Sequence, residues 1–112
     1  MDKSHYKLLQ DISLAIHRID FFIGEPRIFK NFLENLMMQQ AVERNLEIIG
    51  EAVNQLLKLN TDLSITDARR IVDTRNKIIH GYDEIEPENI WNIIITIIPR
   101  LKKEVETLLN QD

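Results

Sequence analysis

The 112-residue chain contains no cysteine, and glycine and proline occur only three times each. The missing thiols exclude cysteine nucleophiles, thiolate metal sites and disulfide frameworks together, and make a reducing intracellular compartment the simpler setting. So little glycine and proline leaves few points where a helix must stop, and no internal repeat or low-complexity segment interrupts the chain. Long apolar runs are also lacking. The longest, Ile93 to Ile98, is broken by Thr96 and falls far short of the roughly 20 residues that cross a bilayer. Met1 to Tyr6 has no apolar signal core. A soluble, cytoplasmic protein with no membrane association is expected.

The hydrophobic share, 44%, is enough for one core in a single domain spanning residues 1–112. Eighteen acidic and 14 basic residues give a net charge of −4, which argues against broad electrostatic capture of nucleic acid but leaves room for a local basic site. Arg69, Arg70, Arg75 and Lys77 form one basic cluster, and Arg100, Lys102 and Lys103 another. On charge alone both read as solvated faces balanced by nearby acids.

Apolar spacing predicts an all-α, up-and-down bundle of four long helices. The first runs from Asp2 or Lys3 to Ile23, with Leu8, Leu9, Ile12, Ala15, Ile16, Ile19, Phe22 and Ile23 on one arc and His17 opposite, on the solvent side. Gly24-Glu25-Pro26 ends it, and a second, unusually long helix is expected from Arg27 to Leu59. Within that helix Asn45 projects into the apolar arc and requires a buried partner. Gly50 costs about 1 kcal/mol against alanine, a cost that close helix packing would explain. Ser64 or Thr66 is the expected cap of a third helix, with Ser64 and Asp67 spaced as a capping box and Gly81 as its C-terminal cap. A fourth helix begins at Glu86-Pro87-Glu88. Its β-branched run could form a strand by propensity, but no partner strand exists, and Ile90, Ile94, Ile97, Leu101, Val105 and Leu108 continue a helical stripe through Pro99. Pro99 is expected to kink or divide that helix, giving a fifth segment.

The chemistry concentrates in Arg75-Asn76-Lys77-Ile78-Ile79-His80-Gly81-Tyr82. Asn76 and His80 are at i and i+4, so the amide can fix the imidazole. A histidine with a fixed cation suits RNA cleavage in which a base takes the proton of the ribose 2′-hydroxyl while arginine offsets charge growing on phosphate. No serine or cysteine is needed for this, no cofactor is called for, and no histidine–carboxylate spacing forms a convincing metal site. Asp83, Glu84, Glu86 and Glu88 read as capping and solvation. The spacing also raises a difficulty: Arg75 and His80 point about 140° apart on an ideal helix. Either the helix unwinds near Gly81 or two copies meet. The plainer alternative is that Arg75 pairs in the core with Asn45, Glu43 or Glu47, that His80 caps its helix and that Tyr82 is a packing residue.

The same octapeptide resembles the Arg-x4-His-x-Tyr motif of the HepT-like branch of the HEPN superfamily. Ala41 to Ala52, with Gly50-Glu51-Ala52, is similar to that family's second-helix signature, and Pro87-x3-Trp91 and Ile98-Pro99-Arg100-Leu101 follow at matching spacing. Many relatives carry a tryptophan in the turn before the third helix, where this chain has Asp62 to Thr66. The resemblance implies a HEPN-like bundle and a metal-independent endoribonuclease. It further implies the toxin of a toxin–antitoxin pair, acting as a homodimer with its cleft at the dimer interface. Arg75 and His80 carry over as catalytic residues with RNA as substrate, and Asn76 matches a commonly polar position. The implied partner is a minimal nucleotidyltransferase (MNT-type) antitoxin that transfers AMP from ATP to Tyr82. The competing expectation is a non-catalytic helical module that binds such a partner or a nucleotide.

Overall fold

The computed structural model describes residues 3–60, 62–81 and 85–111, and every regular element among them is helical. Helix α1 spans Lys3–Ile23, α2 Phe29–Leu33, α3 Leu36–Leu59, α4 Ala68–His80, α5 Pro87–Asn92 and α6 Ile98–Leu109, with a π-helical turn, Ile93–Ile97, between the last two. Helices α1 and α4 both pack on α3, and α6 lies against α1. The molecule measures 42 × 31 × 19 Å, so it is about two helices thick in its narrow direction. No helix among the described residues is long and apolar enough to cross a membrane.

Most of the periodic residues fill the core as spacing predicts, but of the α1 arc Leu8 and Ile23 are half-buried and Phe22 is exposed. Leu9, Ile12, Ala15, Ile16 and Ile19 of α1 and Val42, Leu46, Ile49, Val53 and Leu56 of α3 are buried, whereas His17 is exposed. In the third layer of sequence Ile90, Ile94, Ile97, Leu101 and Val105 are buried, so the β-branched run is indeed helical. The absence of a strand follows from tertiary context: a helical stripe can be covered by α1, while an isolated strand would leave its backbone groups unpaired.

Two expectations are corrected. The helix expected from Arg27 to Leu59 is two helices, broken at Glu34 and Asn35. Asn35 Oδ1 accepts from Met38 N at 3.0 Å as an N-cap, and Gln39 Nε2 donates to the Phe32 and Leu33 carbonyls that the end of α2 would otherwise leave open. The break turns α2 so that Phe32, 1% exposed, and Phe29 pack on Trp91 of α5, with ring centroids 5.4 and 5.8 Å apart. Burial of two aromatic rings outweighs two or three lost helical bonds.

The second correction is at the start of α4, which neither Ser64 nor Thr66 caps. The N-cap position falls to Asp67, whose carboxylate is engaged by Arg100 of α6 at 2.9 and 3.3 Å. Thr66 gives its backbone N–H and its hydroxyl to Glu104. The expected capping box is therefore spent on fastening the 62–67 turn to α6. Pro99 stands one residue inside α6, directly after the π turn, where Ile98 N donates to Ile93 O five residues back. A proline cannot donate and its ring crowds the preceding turn, and the wider π turn absorbs both faults without ending the helix.

Candidate functional site

Gly50 sets the geometry of the site. A methyl group built on it would lie 2.2 Å from Arg75 Cβ and 2.9 Å from Arg75 Cγ. Only glycine lets α4 come this close to α3, so the mid-helix glycine marks the crossing point of the two helices, as its cost in the sequence suggested. The next residue on α3, Glu51, then meets the guanidinium: Arg75 Nη2 lies 2.6 Å from Glu51 Oε2. On the other side Arg75 Nη1 donates to Asn76 Oδ1 at 2.8 Å. Arg75 thus has partners, but they are Glu51 and Asn76 rather than Asn45, Glu43 or Glu47. Glu47 pairs with Arg44 at 3.0 Å, and burial alone pushes the Glu43 carboxyl above the usual carboxylate range. Asn45 is buried at 5% exposure; its amide N donates to Ala41 O of its own helix, and its Oδ1 has no partner among the described residues.

The Arg75 cluster is incompletely satisfied. Arg75 Nε is buried without an acceptor, and the close approach to Glu51 Oε2 is an ionic contact without the alignment of a hydrogen bond. The free Oε1 of Glu51 accepts from Gln55 Nε2 at 3.1 Å. These groups line an open groove of about 280 Å³ between α1, α3 and α4, with Leu8 and Asp11 on one wall and Ile79 on the other. The guanidinium is partly exposed, and an Nη hydrogen that Glu51 and Asn76 leave open can hold a phosphate oxygen there.

The sequence-predicted residues are distributed as the helical wheel requires. The Arg75 side chain is 23% exposed and turned to the groove, while His80 is exposed at the last position of α4, followed by Gly81 in the left-handed conformation at φ 60°. Ile79 joins the two by lining the groove next to His80. The α4 helix does not unwind before Gly81. Asn76, expected to serve the imidazole, has its amide oxygen on Arg75. Tyr82 lies outside the described residues, as do Asp83 and Glu84. Glu51 is the residue that sequence reasoning missed. Its signals were adjacency to a glycine in the middle of a helix and a place within the Ala41 to Ala52 stretch that resembles the family's second-helix signature. Elsewhere Arg100 pairs with Asp67 and Lys102 with Asp20.

The all-helical architecture is compatible with a HEPN-type bundle. Comparison with family models matches residues 12–108 to the family described as "Ribonuclease HepT-like". The chain belongs to this family. It is 36% identical to "Probable ribonuclease HepT" of Thermococcus cleftensis over 112 residues, covering 96% of this chain and 98% of that protein. It is 32% identical to a "Putative RNase" of Caldanaerobacter subterraneus subsp. tengcongensis, covering 94% and 90%. A "Putative RNase" of Methanocaldococcus jannaschii is 37% identical over 72% of this chain and 68% of its own. No solved structure matches the chain.

Proposed function

We propose that this protein is a metal-independent endoribonuclease, with Arg75 and His80 as its catalytic residues. Arg75 holds the scissile phosphate and offsets the charge that develops on it, and His80 moves a proton at the reacting centre. Asn76 supports the site by orienting the Arg75 fork. The observation that carries this reading is the Arg75 guanidinium itself, held at the groove by Glu51 and Asn76 with its Nε still unpaired, in a family whose relatives bear ribonuclease names. Because Arg75 and His80 point to different sides of one regular helix, the working site is a composite cleft of a homodimer, in which the helix ends of two copies face each other.

The same reading makes the protein the toxin of a type VII-like toxin–antitoxin pair in the cytoplasm, silenced when a nucleotidyltransferase antitoxin transfers AMP to Tyr82. A phosphodiester on that phenol would add bulk and negative charge two residues beyond His80, where RNA has to enter. The deciding experiment is cleavage of RNA by the purified protein in EDTA. Wild type should cut and His80→Ala should not; equal cutting by His80→Ala, or none by wild type, sinks the assignment. For the antitoxin, intact mass after incubation with the nucleotidyltransferase and ATP should rise by one or more AMP units in wild type and stay constant in Tyr82→Phe.

A further inference from the structure

Cleaving RNA with its own 2′-hydroxyl requires two proton transfers: one proton leaves O2′ as it attacks phosphorus, and one arrives at O5′ as it departs. The ribonuclease reading names His80 for proton transfer, and this inference rests on that reading. The groove offers a further candidate for one of the two transfers. Arg75 cannot exchange a proton near neutral pH. Asp11 is paired with Lys7 on its own helix, and Glu47 with Arg44. Glu51 is different: one of its oxygens is 2.6 Å from Arg75 Nη2, the other has only a neutral amide from Gln55, and the side chain is 44% exposed within the groove.

We propose that Glu51 is the general base of the reaction and His80 its general acid. A carboxylate on the groove wall can accept a proton, and an imidazole can donate one. The pairing with Arg75 also fits the substrate. In a reactive ribonucleotide, O2′ and phosphorus approach to about 3–3.5 Å, so the base for one and the cation for the other must stand side by side. Glu51 and Arg75 do, because Gly50 lets α4 approach. In a single step Glu51 Oε1 takes the proton of the 2′-hydroxyl, O2′ bonds to phosphorus, the P–O5′ bond breaks, and O5′ takes a proton from the His80 that a second copy brings to the cleft. The products are a 2′,3′-cyclic phosphate and a 5′-hydroxyl; no water, metal or oxidant is consumed. Arg75 binds the non-bridging oxygens throughout. Glu51 and His80 exchange protons with solvent before the next turnover.

The test is the pH dependence of kcat for the full-length protein in EDTA, on an oligonucleotide with one ribonucleotide among deoxynucleotides, from pH 4 to 9. For wild type the acid limb should be set by a carboxylate and the alkaline limb by an imidazole. In Glu51→Gln, which can still accept a hydrogen bond from Arg75, kcat should fall about 10²- to 10⁴-fold with KM little changed, and the acid limb should disappear. Glu51→Asp should recover part of the rate together with the acid limb. A wild-type rate in Glu51→Gln, or a slowed variant that keeps its acid limb, overturns the base assignment and leaves Glu51 a positioning residue at most. So does a wild-type acid limb centred in the imidazole range, a result that decides the matter even if Glu51→Gln does not fold. Those results leave the ribonuclease reading intact if His80→Ala is dead, whereas wild type that cuts no RNA removes both.

Discussion

Two arginine–carboxylate clusters in this protein are buried to nearly the same degree and are built differently. Arg27, 25% exposed, donates to Asp20 at 2.6 Å and reaches Glu25 at 3.4 Å, and Lys102 of α6 occupies the second oxygen of Asp20 at 3.2 Å. Arg75, 23% exposed, has one carboxylate and the amide of its own neighbour, and keeps a buried Nε without an acceptor. In the first cluster each oxygen of Asp20 has a cation and three segments are tied together: the end of α1, the loop after it and α6. In the second the cation is positioned but not used up. Comparable burial with unequal satisfaction separates a structural fastening from a site prepared for an anion.

The electrostatics agree. Burial opposes ionisation of Asp20, yet the hydrogen bonds and charges of Arg27 and Lys102 outweigh it and hold the carboxyl below its usual range. The Arg27 guanidinium is likewise held above its ordinary value by Asp20, against the effect of burial.

The comparison breaks most visibly in the Arg75 cluster. Arg75→Ala should lower RNA cleavage about 10²- to 10³-fold, the size expected for loss of a donor to developing phosphate charge, as measured by single-turnover rates. Activity comparable to wild type would reduce the cluster to another fastening. Gly50→Ala should come next. Alanine gains about 1 kcal/mol in helix propensity, but its methyl would overlap the stem of Arg75, which has no freedom to move away. A net loss of about 1–3 kcal/mol in urea unfolding is expected from the forced separation of α3 and α4, with reduced cleavage because Arg75 moves with its helix.

Asp20→Asn sharpens the contrast from the other side. It should cost about 1 kcal/mol in stability, screened by the partial exposure of the pair, and leave the cleavage rate unchanged. The same residue gives a pH signature. Since its folded pKa is lowered, its contribution to stability is present above the unfolded value of roughly 4 and is lost as pH falls through the folded value. The urea midpoint of wild type should therefore drop on acidification below about pH 4 more than that of Asp20→Asn.

The fold was largely legible before any coordinates. The stripes Leu9 to Ile19, Val42 to Leu56 and Ile90 to Val105 are long enough for period alone to identify a helix, and they also name the core. The break at Glu34–Asn35 went unread because neither glycine nor proline marks it; Asn35, a favoured N-cap residue, was its one local signal. What selected the break was the position of Trp91, more than fifty residues away. The turn at 62–67 misled for a related reason: Thr66 and Asp67 have the chemistry of caps but face stronger partners, Glu104 and Arg100, on α6.

By itself the sequence determined which stretches are helical, which residues are buried, and that Arg75 and His80 cannot lie on one side of a straight helix. These follow from local periodicity, which every residue carries with it. Only the tertiary structure decided which acid meets Arg75. Glu43, Glu47 and Glu51 are spaced four apart on one helix, and the sequence treats them alike. The point where α4 crosses α3, fixed by the one glycine that permits contact, brings Arg75 to Glu51 and makes that pair the centre of the site.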